Sequence, residues 1–334
     1  MATKYGDISQ RTAAYVEKTM LQHAEPILVL EKFATPKPLP RNTADNVKFR
    51  RPIPYAVSTT QLAEGVTPVP KQMQYEDVPV TLGQYGDVVE ITDKIQDLAE
   101  DPVLKDAAML AGEQAAETKE LIMWGALKAG TNVAYSGTTA TPAARTDVNE
   151  VITLNLVRNS IRNLKSQRAK PITSMISASV KFATEAVSPG FVAFSHTDAE
   201  QDIRDMDGFT PVERYGSFTP ISDYELGKVE GVRFILSPVL EPFPGAGSGT
   251  LNGMVNSSSA VDVYPLVIIS KNAYGTVPLK GANSMSPRVI NPDRIEKSDI
   301  LGQRGYVGWK MYFAALILNE SWIQRIEVGV TKLV

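Results

Sequence analysis

Apolar residues recur at alternate positions between Val47 and Val57, where Val47, Phe49, Ile53, Tyr55 and Val57 share one parity. That is the spacing of a strand with one buried face. Pro52 and Pro54 sit inside the run, and Pro68, Pro70 and Pro79 punctuate its return. Proline lacks the N–H that a ladder needs and belongs on edge strands or bulges. The pattern therefore predicts two long extended limbs joined by a flexible tip around Gly65. A limb of about eleven residues reaches roughly 36 Å. Such an arm carries an apolar face for which its own domain offers no evident cover.

The same reading places elements on either side. Ala13, Val16, Met20 and Leu21 mark one face of an amphipathic helix over Ile8–Ala24, with Ser9 as its cap. Pro36, Pro38 and Pro40 then predict an extended tether rather than a packed element, so the first 42 residues read as an arm. "PVTLGQYGDVVEIT" returns as a strand. Asp101 as N-cap and Pro102 at the first helical position begin a helix. Val103, Leu104, Ala107, Ala111, Ala115, Thr118, Ile122 and Ala126 continue it to a C′ stop at Gly130. It spans about 27 residues, or roughly 40 Å, and its Ala- and Gly-rich stripe permits close approach.

"GTNVAYSGTTATPAARTD" reads as a small-residue loop, and a second helix is expected after Asp147. Val151, Leu154, Val157, Ile161 and Leu164 form its apolar face, with Arg158, Arg162, Lys165 and Arg168 elsewhere. Short strands and helices alternate beyond it, ending in two β-rich runs joined near Asn319. The mixture is α+β, without the regular βαβ alternation of a doubly wound sheet.

Composition narrows the function more than the fold. A chain of 334 residues with 43% apolar and 21% charged content is a folded protein of one or two domains. A net charge of -3 gives no global attraction to nucleic acid. The absence of cysteine excludes disulfides, thiolate metal sites and cysteine nucleophiles. Runs such as "FAALIL" are too short to span a bilayer, and "MATKYGDISQR" lacks a signal-peptide core. Synthesis in the cytoplasm is the expectation, with no membrane partner.

No catalytic constellation emerges. His23 belongs to the N-terminal amphipathic helix, and His196 precedes Asp198, Glu200, Asp202, Asp205 and Asp207. One imidazole with two carboxylates can ligate a metal, but acids in a first helical turn also serve the macrodipole. "DMDGF" echoes a calcium loop, yet Ile203 occupies a ligand position. "PGAGSG" lacks the following lysine of a phosphate loop and reads as a flexible surface loop. Lys48, Arg50 and Arg51 could touch phosphate, but such a run is more often a solvated or interface-facing strand face. The expectation is a non-enzyme with no catalytic, cofactor or metal site. An uncovered apolar arm points to cover by a neighbouring subunit, with Val47, Phe49, Arg50, Arg51, Tyr55, Glu64 and Lys71 as candidate contacts.

Several stretches carry a resemblance. "VKFRRPIPYA", "LAEGVTP", "VTLGQYGDVVEITD", "FVAFSHTDAEQDIRDMDGFTPVERYG", "VYPLVIISKNAYGTVPLKG" and "DILGQRGYVGWKMYFAALILNESWIQRIEV" resemble, in order and over nearly the whole chain, the major capsid proteins of tailed bacteriophages. The branch they resemble is typified by the capsid protein of podophage N4. The resemblance implies the Hong Kong 97-type fold. It implies an N-terminal arm over 1–42, an extended loop over 43–82, and a peripheral domain with the spine helix over 83–146. An axial domain would follow over 147–280, and residues 281–334 would return to the peripheral domain. It also implies hexamers and pentamers of an icosahedral virion shell around double-stranded DNA, with the extended loop lying over the adjacent subunit. A separate scaffolding protein, a portal and a decoration protein are the partners it suggests. Lys71 lies on the loop, but no motif supports a cross-link there. An encapsulin-like cellular compartment is the alternative within the fold; a carboxylate- or metal-dependent hydrolase using Asp198–Asp207 is the alternative outside it. Without basic tails, the inner surface is expected to be near neutral or negative, with Arg158 and Arg162 serving solvent or subunit contacts.

Overall fold

The computed structural model describes residues 29–333 apart from 43–44, 60, 63, 94–102, 139–141, 177–183, 216–219, 258, 280–284 and 293–299. The expected helix over Ile8–Ala24 and the Asp101–Pro102 helix start lie outside the described residues.

A 3₁₀ turn at Leu30–Phe33 leads to β1 (Thr35–Pro36), then the hairpin of β2 (Asn46–Pro52) and β3 (Tyr75–Thr81), then β4 (Gly83–Thr92). Helix α1 (Val103–Lys128), the short β5 (Val133–Tyr135) and helix α2 (Leu154–Ser166) follow. Strands β6 (Ile172–Ile176) and β7 (Thr184–Ser195) pair, α3 (Glu200–Arg204) and β8 (Thr210–Pro211) come next, and β9 (Glu225–Val229) turns into β10 (Val232–Leu236). The rest is β: β11 (Asn256–Ser257), β12 (Ala260–Val261), β13 (Tyr264–Ile269), β14 (Tyr274–Pro278), β15 (Met285–Ile290), β16 (Arg304–Ile317) and β17 (Ile323–Val328).

Strand β16 is the spine of a five-stranded sheet. It pairs with β4 along 304–313, with β15 along 306–311 and with β14 along 313–317, and β1 lines the outer edge of β14. An eight-stranded sheet runs β5-β17-β13-β7-β10-β9-β8, with β6 also on β7. Every residue of β10, β13 and β17 is buried. Sheets covered on both faces read as continuous apolar runs, as "VRFIL" and "YPLVII" do.

The alternation of side chains across a strand divides this sheet's contacts between two cores. Val192, Phe194, Ile235, Val267 and Ile269 meet Ala108, Ala111, Ala115, Met123, Trp124 and Leu127 of α1, together with Trp309 and Phe313 of β16. Ala193, Phe234, Leu266, Ile268 and Ile326 face Val157, Ile161 and Leu164 of α2 and Ile203 of α3. The small residues of α1 do bring sheet and helix close. The helix is 26 residues long from Val103, in line with the expected length.

Several expectations are corrected. The proline tether is packed: Lys37 and Leu39 donate their N–H groups to the carbonyls of Thr276 and Pro278, both at 2.9 Å. Prolines at 36, 38 and 40 occupy only the parity whose nitrogens face away, so an edge strand tolerates all three. "PVTLGQYGDVVEIT" is two strands, breaking at Leu82. "GTNVAYSG" contains β5, which pairs with β17. Helix α2 starts at Leu154, with the Thr153 hydroxyl accepting from the Leu156 N–H; Asp147 instead anchors a preceding 3₁₀ turn, accepting from the N–H groups of Ala143 and Ala144. Gly130 ends α1 without a positive φ. A Cβ there would lie 3.2 Å from the Ile317 Cδ1 and 3.3 Å from the Leu127 carbonyl oxygen, a tight fit. "PGAGSG" is tied down, with the Gly245 N–H on Asp262 and the Ser248 N–H on Val148.

Sheet membership also cuts across the expected segments. β14 lies within 147–280 yet pairs with β16, while β17 lies within 281–334 yet belongs to the eight-stranded sheet, as does β5 from 83–146. Sequential neighbours need not share a sheet when a connection crosses between layers.

Candidate assembly surfaces

Strands β2 and β3 pair antiparallel from Asn46↔Thr81 to Pro52↔Tyr75, and Ile53 donates to the Gln74 carbonyl at 2.9 Å. In this register the nitrogens of Pro52, Pro54 and Pro79 all point away from the partner strand, which removes the conflict between proline and ladder. Val47 and Val80 oppose each other, as do Phe49 and Val78. Their face lies on Leu39, Val277 and Ala314 at the edge of the five-stranded sheet. Val47 is only 6% exposed. The expectation that the chain has no cover for Val47 is therefore corrected: the base of the hairpin is anchored on its own subunit. Phe49 is half-buried there, beneath the Lys37 ammonium 4.8 Å from its ring centre.

Beyond Ile53 the support stops. The described residues of 54–74 belong to no strand. Tyr55, Val57, Leu62, Val66, Val69 and Met73 are all more than half exposed, Val69 reaching 89%. Lys71 donates to the Ala56 carbonyl at 3.2 Å, holding the two limbs side by side. Glu64 and Gly65 form the exposed turn at the tip, where Gly65 takes a φ of 76° that suits glycine. Six exposed apolar side chains thus fall on one extension of the chain.

Charge lines the hairpin where the limbs leave the body. Arg50 grips Asp77 with two hydrogen bonds of 2.7 and 3.0 Å, and Arg51 binds Glu76 at 2.7 Å. The Arg50 hydrogen bonds hold the Asp77 carboxyl below the usual carboxylate range. The partners are exposed, so these cross-strand pairs fix register more than they stabilise. Asp77 and Glu76 were not singled out from the sequence; the antiparallel register opposite "RR" is the signal that finds them. A cleft of about 780 Å³ opens between this hairpin face and the body, lined by Phe49, Arg51, Ile53, Arg168, Leu318 and Trp322 among others.

The acidic stretch around His196 is structural. His196 caps the turn at Thr197–Ala199 by accepting the Asp198 N–H on Nδ1 at 3.1 Å, and Asp198 accepts the Tyr264 hydroxyl at 2.8 Å. Asp202, buried, accepts from the Thr331 N–H at 2.9 Å and from its hydroxyl at 2.6 Å. Among the described residues no group of three or more His, Cys, Asp or Glu could hold a metal ion. Asp202→Asn is expected to lower subunit stability by about 1–2 kcal/mol, the scale of weakening hydrogen bonds to a charged group, and to leave assembly intact. Denaturant unfolding beside electron micrographs of the variant checks both.

The match to known proteins follows this geometry. The family model described as phage capsid protein covers residues 75–318, from the return limb of the hairpin to the end of the five-stranded sheet. The chain belongs to the phage capsid protein family. A curated relative, the major capsid protein of Pseudomonas phage KPP21, is 23% identical over 266 residues, 74% of this chain and 66% of that protein. The match thus spans just under two thirds of the relative's length. The capsid of Ralstonia phage GP4 superposes with a TM-score of 0.68 at 12% identity, over 92% of each chain. An encapsulin complex from Synechococcus elongatus aligns over 100% of this chain and 99% of its own, with a TM-score of 0.52 and 15% identity. The capsid protein has the Hong Kong 97-type fold.

Proposed function

We propose that this phage capsid protein is a major capsid protein. It assembles through hexamers and pentamers into an icosahedral virion shell, and encloses double-stranded DNA without sequence-specific binding. The observation that carries the reading is the hairpin: its base is fixed to its own subunit, while its distal limbs expose Tyr55, Val57, Leu62, Val66 and Val69. A neighbouring subunit of the same capsomer is the cover that repeats with the same geometry at every position. In this reading Tyr55, Glu64 and Lys71 make the contact, Phe49 borders it, and Arg50 and Arg51 shape the hairpin that presents it. The arm, extended loop, spine helix and axial region follow one another along the chain with boundaries near 42, 82, 146 and 280, while β5, β14 and β17 cross between the sheets of these segments. A scaffolding protein and a portal complete assembly in the host cytoplasm, and a decoration protein can bind outside.

Electron microscopy of the purified protein tests this. Closed shells tens of nanometres across are expected, and a monomer or dimer under every assembly condition overturns the reading. The encapsulin alternative shares the fold and is separated by contents: a loaded enzyme cargo supports it, whereas packaged DNA supports the virion.

A further inference from the structure

Glu120 sits in the middle of α1 and is fully buried. Its Oε1 accepts the backbone N–H groups of Val29 at 3.0 Å and Leu30 at 2.9 Å, the entry to the 3₁₀ turn within the arm. Its Oε2 has no hydrogen-bond partner. Every nearby charge is engaged elsewhere. Lys119, on the same helix, binds Glu31 of the turn at 2.5 Å and lies over the Phe313 ring of β16. The Tyr274 hydroxyl of β14 donates to the Leu30 carbonyl. A bare carboxylate oxygen in such a place is costly, because burial without a partner removes water and returns nothing. A protonated carboxyl keeps both backbone bonds on Oε1 and carries no charge.

We propose that docking of the arm segment Val29–Phe33 on α1 is a proton-linked latch, in which Glu120 takes up one proton as the segment seats and gives it up when the segment leaves. Desolvation raises the Glu120 carboxyl to about 7, against the lowering pull of the Leu30 and Val29 N–H groups, with Glu31 raising it further and Lys119 lowering it. With the segment gone, water reaches the carboxyl and its ordinary value returns. The sign follows: the docked state binds more protons between the ordinary carboxylate value and about 7, so docking weakens as pH rises through that window. Above it both states are ionised and the dependence flattens. The slope approaches tenfold in the docking equilibrium per pH unit inside the window and shallows toward its ends, which amounts to about 40-fold between pH 5 and 7.

The test is hydrogen exchange of the Val29–Phe33 amides in the unassembled full-length subunit between pH 5 and 8, corrected for intrinsic exchange rates. Protection should fall about 40-fold between pH 5 and 7 and level off above. Glu120→Gln, permanently neutral and nearly isosteric, should give a profile without this slope. Glu31→Gln removes a half-buried partner, releases Lys119 toward Glu120 and should move the midpoint to lower pH without disturbing the core. Tyr274→Phe should lower protection equally at all pH values and keep the slope. A flat wild-type profile, the same slope in Glu120→Gln, or an unmoved midpoint in Glu31→Gln overturns the latch.

Discussion

Deleting residues 58–71 is expected to leave a folded subunit that no longer assembles. The described residues of the deleted stretch make no strand pairing, whereas the hairpin base keeps Asn46↔Thr81 through Pro52↔Tyr75 and its seat on Leu39, Val277 and Ala314. The Lys71 to Ala56 contact shows that the limbs already run close together where a short turn would rejoin them. Subunit stability should therefore change little. Assembly loses the apolar surface of Leu62, Val66 and Val69. A few hundred Å² at about 25 cal/mol per Å² is several kcal/mol per contact before association costs, and a shell repeats the contact at every subunit. Circular dichroism and denaturant unfolding report the fold; sedimentation and micrographs report the shells. Normal shells of normal thermal stability would show that the loop covers nothing.

The second large effect lies inside the subunit. Glu327 of β17 is fully buried and accepts two hydrogen bonds from Arg145, at 2.7 and 2.8 Å. The Arg325 Nε lies 2.9 Å from the same carboxylate, close in charge but out of line for a hydrogen bond. Arg325 in turn donates to the Lys128 carbonyl at the end of α1. Arg145 stacks 3.5 Å over the Phe243 ring, and the Lys128 ammonium, which burial holds below its ordinary pKa, lies 4.4 Å over the same ring. Glu327 thus faces a cluster of cations where the long helix meets the eight-stranded sheet, with Glu241 also acting on the Lys128 ammonium. Glu327→Gln should cost about 3–5 kcal/mol, the scale of removing one partner from a buried ion pair and leaving the others uncompensated. Unfolding of the unassembled subunit measures it. Adding Arg145→Gln should cost less than the sum of the single changes, because the pair acts as a unit. A loss below about 1 kcal/mol for Glu327→Gln would falsify the central role given to this carboxylate.

In this member of the phage capsid family the acids around His196 have structural partners. Polar chemistry is spent on tying segments together: Asp202 on Thr331, Asp198 on Tyr264, Glu225 on the Tyr215 hydroxyl and the Ile221 N–H. Acids that a sequence offers as ligand candidates become caps and tethers once their backbone partners are visible.

Local pattern alone determined a good deal. Period-two apolar spacing and edge prolines located the hairpin limbs, because a proline's missing donor is a property of one residue and its parity. Three-to-four spacing located α1 and the buried face of α2, because helical geometry depends only on neighbours along the chain. Only the tertiary structure decided which partner each element meets. "IQRIEV" reads as a half-polar strand, yet all six residues of β17 are buried between β13 and β5, with Arg145 arriving from 182 positions away to meet Glu327. Val47 and Tyr55 share one parity, yet one is buried on its own subunit and the other is exposed. Glu120 looks like any helix glutamate until the arm's backbone is laid across it. Burial, pairing and proton affinity are set by atoms distant in sequence, and no periodicity along the chain encodes that distance.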